Sequence, residues 1–348
     1  MSTSAAAATA WHLSDAGKEL LRRVAANDVE RLQLDDTELG FLGVSAVAQA
    51  LQSTQSVRIL SLQSNGLRDA DVAPLRYVLT SNKTLETLDL GYNHLSDATA
   101  LWLAELLLTN TTLKELCLDC NHGICAEGCA ALAQSLRTNA SLEELRLANN
   151  TVGNPGGVAL ADALKVNITL TLLDVGNNNM SDRAAEAFAD ALKANRSLTS
   201  LTLGGAGGPS QPHSTAPNKV TAKGAAALAK ALVENDSLGY LGLCACKIGN
   251  EGAVALSTAL KSNTALSGLD LNFCGIRDKG ADALSKALSV NKRTMLRFSG
   301  NSSAAASLER LKAVGGSSPS FRGANWRVDV KRTLFTPRWP ARPPPRES

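Results

Sequence analysis

Aromatic residues are scarce in this chain of 348 residues, of which Phe, Trp and Tyr make up 4%. A folded core must therefore be built from aliphatic side chains, which favours thin and uniform packing layers. No apolar run approaches the roughly eighteen residues that a membrane-spanning helix needs. The N-terminal stretch also lacks the basic and leucine-rich regions of a signal peptide. We therefore expect no membrane partner and a cytoplasmic protein.

Catalytic motifs are missing as well. The glycine-rich stretches GGAGG and GNPGG lack the lysine and the strand–helix setting of a phosphate-binding loop. None of the four histidines has a nucleophile or a carboxylate at a motif spacing. The sequence therefore favours neither an enzyme nor a bound cofactor.

Cysteine is limited to seven residues, an odd number that favours reduced thiols over a disulfide framework. Four of the seven crowd, with a histidine, into the stretch CLDCNHGICAEGC at residues 117–129. The pairs Cys117/Cys120 and Cys125/Cys129 have spacings that zinc can use. Whether they form a metal site depends on the direction in which each sulfur points.

The dominant feature of the sequence is a repeat of 28 residues. Phrases such as VRILSLQSNGL and LSGLDLNFCGI occur nine times between residues 29 and 276, with one step of 29 and one of 40, and a degenerate tenth copy ends at Asn301. Each unit first alternates apolar and polar residues, which predicts a strand, and then has apolar residues at helical spacing, as at Ala281, Leu284 and Leu288. One strand and one helix cannot bury their own apolar faces, so the units must stack. The predicted fold is an α/β solenoid with an inner parallel β-sheet and outer helices.

The units read L-x-x-L-x-L-x-x-(N/C)-x-L, and the copy at residues 266–291 resembles the ribonuclease-inhibitor type of leucine-rich repeat. The resemblance extends over residues 29–301 and implies a horseshoe-shaped leucine-rich-repeat solenoid whose relatives mostly bind other proteins. It also implies that the ninth side chain of each unit turns inward and satisfies backbone groups where the strand ends. This structural ladder comprises Thr37, Asn65, Asn93, Asn121, Asn150, Asn178, Cys246 and Cys274, with Ala206 in the seventh unit.

The repeat frame separates the four clustered cysteines. It places Cys117 on the concave surface, Cys120 at the strand exit, Cys125 in the turn before the helix and Cys129 in the core. Sulfurs that point in several directions do not converge on one ion. We therefore expect no metal at residues 117–129.

N-x-S/T sequons keep the phase of the repeat, and each directly follows a helical segment. They begin at Asn82, Asn110, Asn139, Asn167, Asn195 and Asn235. Asparagine tolerates the left-handed conformation that often ends a helix. We predict that these residues end helices rather than carry glycans.

The chain divides into three regions. Residues 1–28 form an N-terminal tail and a capping helix with Ser14 as N-cap, residues 29–312 hold the repeats with a loop insertion at 207–218, and residues 313–348 are a basic Pro/Arg-rich tail. Within the tail, PSFRGANWRVDV at 319–330 resembles the opening of a COMM domain. Either this match is coincidental or the chain is a truncated COMM-domain-linked adaptor.

Alternation along each strand places positions three, five, seven and eight of every unit on the concave face. Eight acidic residues and two arginines fall there in units one to nine, together with aromatic side chains. This pattern favours a protein partner with a basic surface, although the inner faces of solenoids can also be simply polar. Nucleic acid is not expected, because the basic residues do not lie on a folded face with stacking aromatics. The predicted partner-binding residues are Asp35, Asp36, Asp89, Tyr92, Glu115, Asp119, Glu144, Asp174, Tyr240, Asp270 and Phe273.

Two classes of function remain open at this stage. The first is a protein-interaction scaffold without catalysis. The second is a regulator of a small GTPase, similar to the GTPase-activating proteins of the Ran GTPase, which share this repeat type. Those relatives carry an acidic tail after the repeats, whereas the tail of this chain is basic. The scaffold is therefore the favoured hypothesis.

Overall fold

The computed structural model describes residues 11–205, 217–303, 305–314 and 328–329. In this part of the chain one sheet contains eleven parallel strands in sequence order. The strands are β1 (Arg31–Gln33), β2 (Ile59–Ser61), β3 (Thr87–Asp89), β4 (Glu115–Cys117), β5 (Glu144–Arg146), β6 (Leu172–Asp174), β7 (Ser200–Thr202), β8 (Tyr240–Gly242), β9 (Gly268–Asp270), β10 (Met295–Arg297) and β11 (Val328–Asp329).

Helices alternate with the strands. After a short 3₁₀ turn (Trp11–Leu13), they are α1 (Asp15–Ala25), α2 (Gly40–Ser53), α3 (Asp69–Ser81), α4 (Asp97–Leu107), α5 (Ala126–Leu136), α6 (Gly153–Leu164), α7 (Asp182–Ala194), α8 (Ala222–Glu234), α9 (Gly249–Leu260), α10 (Asp278–Val290) and α11 (Ala305–Val314). Ser14 accepts a hydrogen bond from Gly17 N at 3.0 Å and so caps α1. The predicted α/β solenoid is confirmed.

Neighbouring strands pair in register, so each residue lies opposite the residue at the same position of the next repeat. Leu32 lies opposite Leu60, and Leu60 lies opposite Leu88. The longer steps do not disturb this register, because Cys117 still pairs with Arg146 and Thr202 with Gly242. The central leucine of each of these strands is fully buried between sheet and helices. Each such side chain stabilises the fold by about 1.5–3 kcal/mol, so the stacked leucines hold the units together.

The first ladder of side-chain hydrogen bonds follows the strand exits. The Asn93 amide nitrogen Nδ2 donates to Leu62 O and Leu90 O, both at 3.0 Å, and to Gly91 O at 3.1 Å. Its Oδ1 accepts from Asn65 N at 3.1 Å and from Leu67 N at 3.0 Å. One buried side chain therefore satisfies backbone groups of two successive units.

The seventh unit differs from the expected frame. Asn218, placed by the repeat count at the end of the insertion, occupies the ladder position. Its Oδ1 accepts from Asn178 N at 2.9 Å and Met180 N at 2.8 Å, and its Nδ2 donates to Val175 O at 3.0 Å. The extra residues therefore precede the ladder asparagine instead of following it. Ala206 lies outside the described residues.

A second ladder joins the helix ends, and here the predicted conformation is wrong. Asn195 has φ −72° and ψ 135°, which is extended rather than left-handed. Its Nδ2 donates to Leu164 O and Asn167 O, both at 2.9 Å, while its Oδ1 accepts from Leu198 N at 2.8 Å. Asn195 Nδ2, the atom to which a glycan would be attached, is buried and hydrogen-bonded. This asparagine therefore has a structural role. The same pattern recurs at Asn139, Asn167, Asn235, Asn263 and Asn291.

A third ladder at the helix starts was not anticipated. The Asp182 carboxylate accepts from Thr221 N at 2.7 Å and from Gly224 N at 3.0 Å, so the first turn of α7 caps the first turn of α8. Asp97 binds Cys125 N and Gly128 N of the next unit in the same way. A glycine is needed because a Cβ on Gly224 would lie 2.7 Å from Asp182 Oδ1.

This third ladder reverses the usual effect of replacing a helical glycine. Ala normally stabilises a helix interior by about 0.5–1 kcal/mol relative to Gly. Gly224→Ala should instead lower the free energy of unfolding by about 1–3 kcal/mol, because the methyl group overlaps Asp182. Urea unfolding measures the effect, and Lys230→Ala, exposed on the same helix, is the control with no expected loss. A stabilised Gly224→Ala variant would contradict this packing.

Candidate partner-binding face

The register of the sheet arranges concave side chains in rows that cross the strands. Position five of successive units forms one such row, because strands lie about 4.8 Å apart and pair in phase. This row reads Ser61, Asp89, Cys117, Arg146, Asp174, Thr202, Gly242, Asp270 and Arg297. Charged groups that are 28 or more residues apart in sequence are thereby neighbours in space.

The predicted partner-binding residues lie at different depths. Asp35, Asp36 and Tyr92 are exposed, whereas Asp89 and Asp270 are only 4% and 6% exposed. The others are half-buried: Glu115, Asp119, Glu144, Asp174, Tyr240 and Phe273. Alternation predicted the face of each side chain but not how far its neighbours cover it.

Five of these acids surround one arginine on strands β3–β6, and we name this group the Arg146 cluster. Its members are Asp89, Glu115, Asp119, Glu144, Arg146 and Asp174. The Arg146 guanidinium contacts Glu144 Oε2 at 2.8 Å, and the residue as a whole is 9% exposed. The sequence placed Arg146 on this face but did not identify it as the centre of the acids.

Backbone N–H groups hold three of the carboxylates in place. Asp89 Oδ1 accepts from Gly91 N at 2.8 Å, and Asp174 Oδ1 accepts from Gly176 N at 3.0 Å. Asp119 Oδ1 accepts from Ala148 N on the following unit at 2.7 Å. These bonds pre-organise the carboxyl groups, so they lose little side-chain freedom when a partner binds.

The proton affinities of the cluster follow from burial and crowding. Burial, followed by the charge of Asp174, raises the pKa of Asp119 to about 8. Burial also raises the pKa of Asp174, and burial with the charge of Glu144 raises the pKa of Glu115. At neutral pH the cluster therefore carries less negative charge than a count of its acids suggests.

These shifts predict how stability depends on pH. Asp119 binds its proton more tightly in the folded chain, so its contribution to stability is fully present below the unfolded pKa and is lost as pH rises through about 8. Because one pKa unit corresponds to about 1.4 kcal/mol, the wild-type chain should lose more than about 1.4 kcal/mol between pH 5 and pH 9. Asp119→Asn, which keeps the acceptor for Ala148 N, should flatten this dependence. Urea unfolding midpoints of both proteins between pH 5 and pH 9 test this prediction. If stability falls with pH equally steeply in the wild-type chain and in Asp119→Asn, Asp119 is not protonated in the folded chain.

The other end of the face has a different character. A Cβ on Gly268 would lie 2.8 Å from the Tyr240 ring, and the Phe273 ring lies against Gly300 in the same way. Both rings therefore lie close to the sheet. Asp270 is 3.6 Å from Arg297 on β10, a residue of the degenerate tenth copy that the sequence analysis did not include in the face. Aromatic faces of this kind can stack on arginine.

The clustered cysteines point to different surroundings. Cys125 Sγ is 3.0 Å from Thr151 Oγ1, and Cys129 Sγ is buried 3.7 Å from Gly156 O. Cys117 is buried on β4 and Cys120 is buried at its exit with φ 56°. Among the residues that the structure describes, no group of three or more His, Cys, Asp or Glu side chains is arranged to hold a metal ion.

Comparison with known proteins adds the family context. A family model described as Leucine Rich repeat matches residues 81–100, 109–133, 138–161, 166–189 and 262–285. The fold is a leucine-rich-repeat solenoid. The match concerns leucine-rich repeats in general, so the ribonuclease-inhibitor type and the COMM resemblance stay predictions. Most of 319–330 lies outside the described residues, apart from the two residues of β11.

Two solved structures are similar to part of this chain. One is titled leiomodin-1 actin-binding site 2; it is 22% identical, with a TM-score of 0.33, and the match covers 47% of this chain and 79% of that chain. Another is the tropomodulin C-terminal domain of Caenorhabditis elegans; it is 17% identical, with a TM-score of 0.33, over 52% of this chain and 93% of that chain. No curated protein matches the chain. Among the described helices of the solenoid, none combines the length and the apolar character needed to cross a membrane.

Proposed function

We propose that this leucine-rich-repeat chain is a non-catalytic interaction scaffold that binds a basic segment of a partner protein on its concave face. The observation that carries the proposal is the Arg146 cluster. Five carboxyl groups and one guanidinium, which is paired with Glu144, lie on or directly after four neighbouring strands, and this leaves an excess of acid on one face of the sheet. Charge complementarity of this kind steers a basic partner to the face and sets its orientation.

The shape of the face supports an extended partner. Small residues follow the strands beyond the cluster, with Ala148, Gly176 and Gly204 at the same repeat position. Because a Cβ on Gly204 would lie 2.5 Å from Cys244 O of the next unit, these residues let successive units pack closely and keep bulky side chains off the strand exits. At the far end, Tyr240 and Phe273 offer rings on which an arginine side chain can stack. A segment that crosses the strands would meet carboxylates first and aromatic rings afterwards.

A charge-neutralisation experiment tests this proposal. The concave variant carries Glu115→Gln, Asp119→Asn, Glu144→Gln and Asp174→Asn, which remove charge but keep the shape of each side chain. The probe is an array of Lys/Arg-rich peptides, titrated at pH 8.5 where the carboxyl groups are most ionised. We expect at least about a tenfold loss of affinity, because each exposed or half-buried charge pair contributes about 0.2–1 kcal/mol or more.

The matched control removes the same number of acids from the convex helices. It carries Glu105→Gln, Asp162→Asn, Asp190→Asn and Asp282→Asn, each of which forms an exposed ion pair in the native chain. This convex variant should bind the peptides as the wild-type chain does. If the concave variant binds equally well, or if both variants lose affinity to the same extent, the concave face is only a solvated surface.

A further inference from the structure

We propose that docking on the concave face is linked to proton release: a cationic side chain of the partner takes the place of a proton held by Asp119 or Asp174. This inference rests on the proposed function and adds a regulator to it, namely the local pH. It predicts that a basic partner binds weakly in acidic surroundings and tightly above neutral pH.

The geometry places the two carboxyl groups on either side of β5. Asp119 follows β4 and Asp174 ends β6, and each has one oxygen engaged by a backbone N–H, at 2.7 and 3.0 Å. Between them, Arg146 makes its close contact of 2.8 Å with Glu144. The cluster therefore concentrates more acid than its single guanidinium neutralises, and a proton is the simplest way to relieve the repulsion.

The groups that face this pair come from every strand around it. Asp89 lies on β3, Glu115 and Cys117 on β4, Glu144 and Arg146 on β5, and β7 contributes only the uncharged Ser200 and Thr202. Further away, Asp35 follows β1, Tyr240 lies on β8, and Asp270 and Arg297 form an ion pair across β9 and β10. Apart from Arg146, the nearest charged groups are all acidic, so each of them favours retention of the proton by its neighbours.

The direction of the pH dependence follows from this crowding. Burial and the charge of Asp174 raise the pKa of Asp119 to about 8, and burial raises the pKa of Asp174, so the face holds protons near neutral pH. An incoming ammonium or guanidinium group favours the ionised carboxylate and expels the proton. Each proton released makes the association constant rise about tenfold per pH unit below the pKa of the free protein, with a plateau above it.

Calorimetry with an octa-arginine peptide tests the linkage on the full chain. Titrations at pH 6.5, 7.5 and 8.5, each in two buffers of different ionisation enthalpy, count the protons released on binding. We expect about one proton released at pH 7 and roughly tenfold tighter binding at pH 7.5 than at pH 6.5. The double variant Asp119→Asn/Asp174→Asn should release no proton, and its affinity should no longer rise with pH.

The outcomes separate the two proposals. Binding of the peptide without proton release, and with the same affinity at every pH, overturns the proton linkage and leaves the docking proposal standing. Absence of binding at every pH overturns both. The convex variant described above serves as the control, and it should release the same number of protons as the wild-type chain. Because the proton count is made on the wild-type chain, the test does not depend on the folding of any variant.

Discussion

Replacing Asn93 with leucine should lower the free energy of unfolding by about 2–6 kcal/mol. The leucine removes the acceptor of two backbone N–H groups, Asn65 N and Leu67 N, and the donor to three carbonyl oxygens. A buried donor left without a partner costs about 1–3 kcal/mol. The two N–H donors that lose their acceptor therefore account for the loss of about 2–6 kcal/mol. The three carbonyl oxygens that lose their donor increase it further.

Thr37 offers a matched control at the same ladder position. Its hydroxyl donates to Leu34 O at 2.8 Å, lies 3.1 Å from Asn65 Oδ1, and is only half-buried. Thr37→Val should therefore cost about 1 kcal/mol. Equilibrium urea unfolding, with circular dichroism as the probe, measures both variants. Equal losses for the two variants, or an unchanged Asn93→Leu protein, would contradict the ladder.

Gly204→Ala should cost about 3 kcal/mol, at the upper end of the range for overpacking. A Cβ at this position would lie 2.5 Å from Cys244 O and 2.6 Å from the Leu243 carbonyl carbon. These atoms belong to the backbone of the next unit, so no side-chain rotation can relieve the overlap. The main chain of β7 or β8 would have to move, and with it the register of Thr202 against Gly242.

Thr202→Ala, two residues earlier on β7, is the control for Gly204→Ala. Thr202 is half-buried and faces the same side of the sheet. Its replacement by alanine removes side-chain atoms and places no new atom against the backbone of the next unit. We expect a change within about 0.5–1 kcal/mol for this control. Thermal unfolding compares the two variants. A Gly204→Ala protein as stable as Thr202→Ala would mean that the close approach of the two units is not required.

The fold could be predicted from the sequence because its period is local and regular. In the nine repeats each strand begins two residues after the first apolar residue of its unit, as at Arg31, Thr87 and Gly268, so counting by 28 locates the sheet. The insertion boundary could not be predicted in this way. Only the hydrogen bonds of Asn218 reveal that the extra residues come before the ladder position.

The hydrogen bonds that join the helices of successive units could not be predicted from the repeat consensus. The backbone conformation of Asn195 depends on carbonyl groups of the preceding unit, which a repeat consensus does not display. The Asp182–Gly224 contact has a counterpart in the sequence, since a helical glycine occurs in the unit that follows the acidic residue it meets, as Gly128 follows Asp97. The pairing of the acidic residue with the glycine is recognised only when two stacked units are compared, because the two residues belong to different units.

The sequence predicted which acidic residues lie on the concave face, but not their burial or their proton affinities. Alternation placed Asp89, Asp119 and Asp174 on one face, yet burial depth and mutual repulsion depend on how three strands meet. The role of Arg146 and the pairing of Asp270 with Arg297 emerge from cross-strand register. These features change the expected charge of the face at neutral pH, and with it the conditions under which a basic partner would bind.

Photo-crosslinking shows directly whether a basic peptide docks on the concave face. A Lys/Arg-rich peptide that carries a benzophenone group is bound at pH 8.5, irradiated, and mapped on the full chain by mass spectrometry. We expect crosslinks on the concave positions of β3–β6. Unlabelled peptide should compete with them, and they should be lost in the variant that neutralises Glu115, Asp119, Glu144 and Asp174. Crosslinks confined to the convex helices α3–α10, or unchanged in that variant, would contradict docking on the concave face.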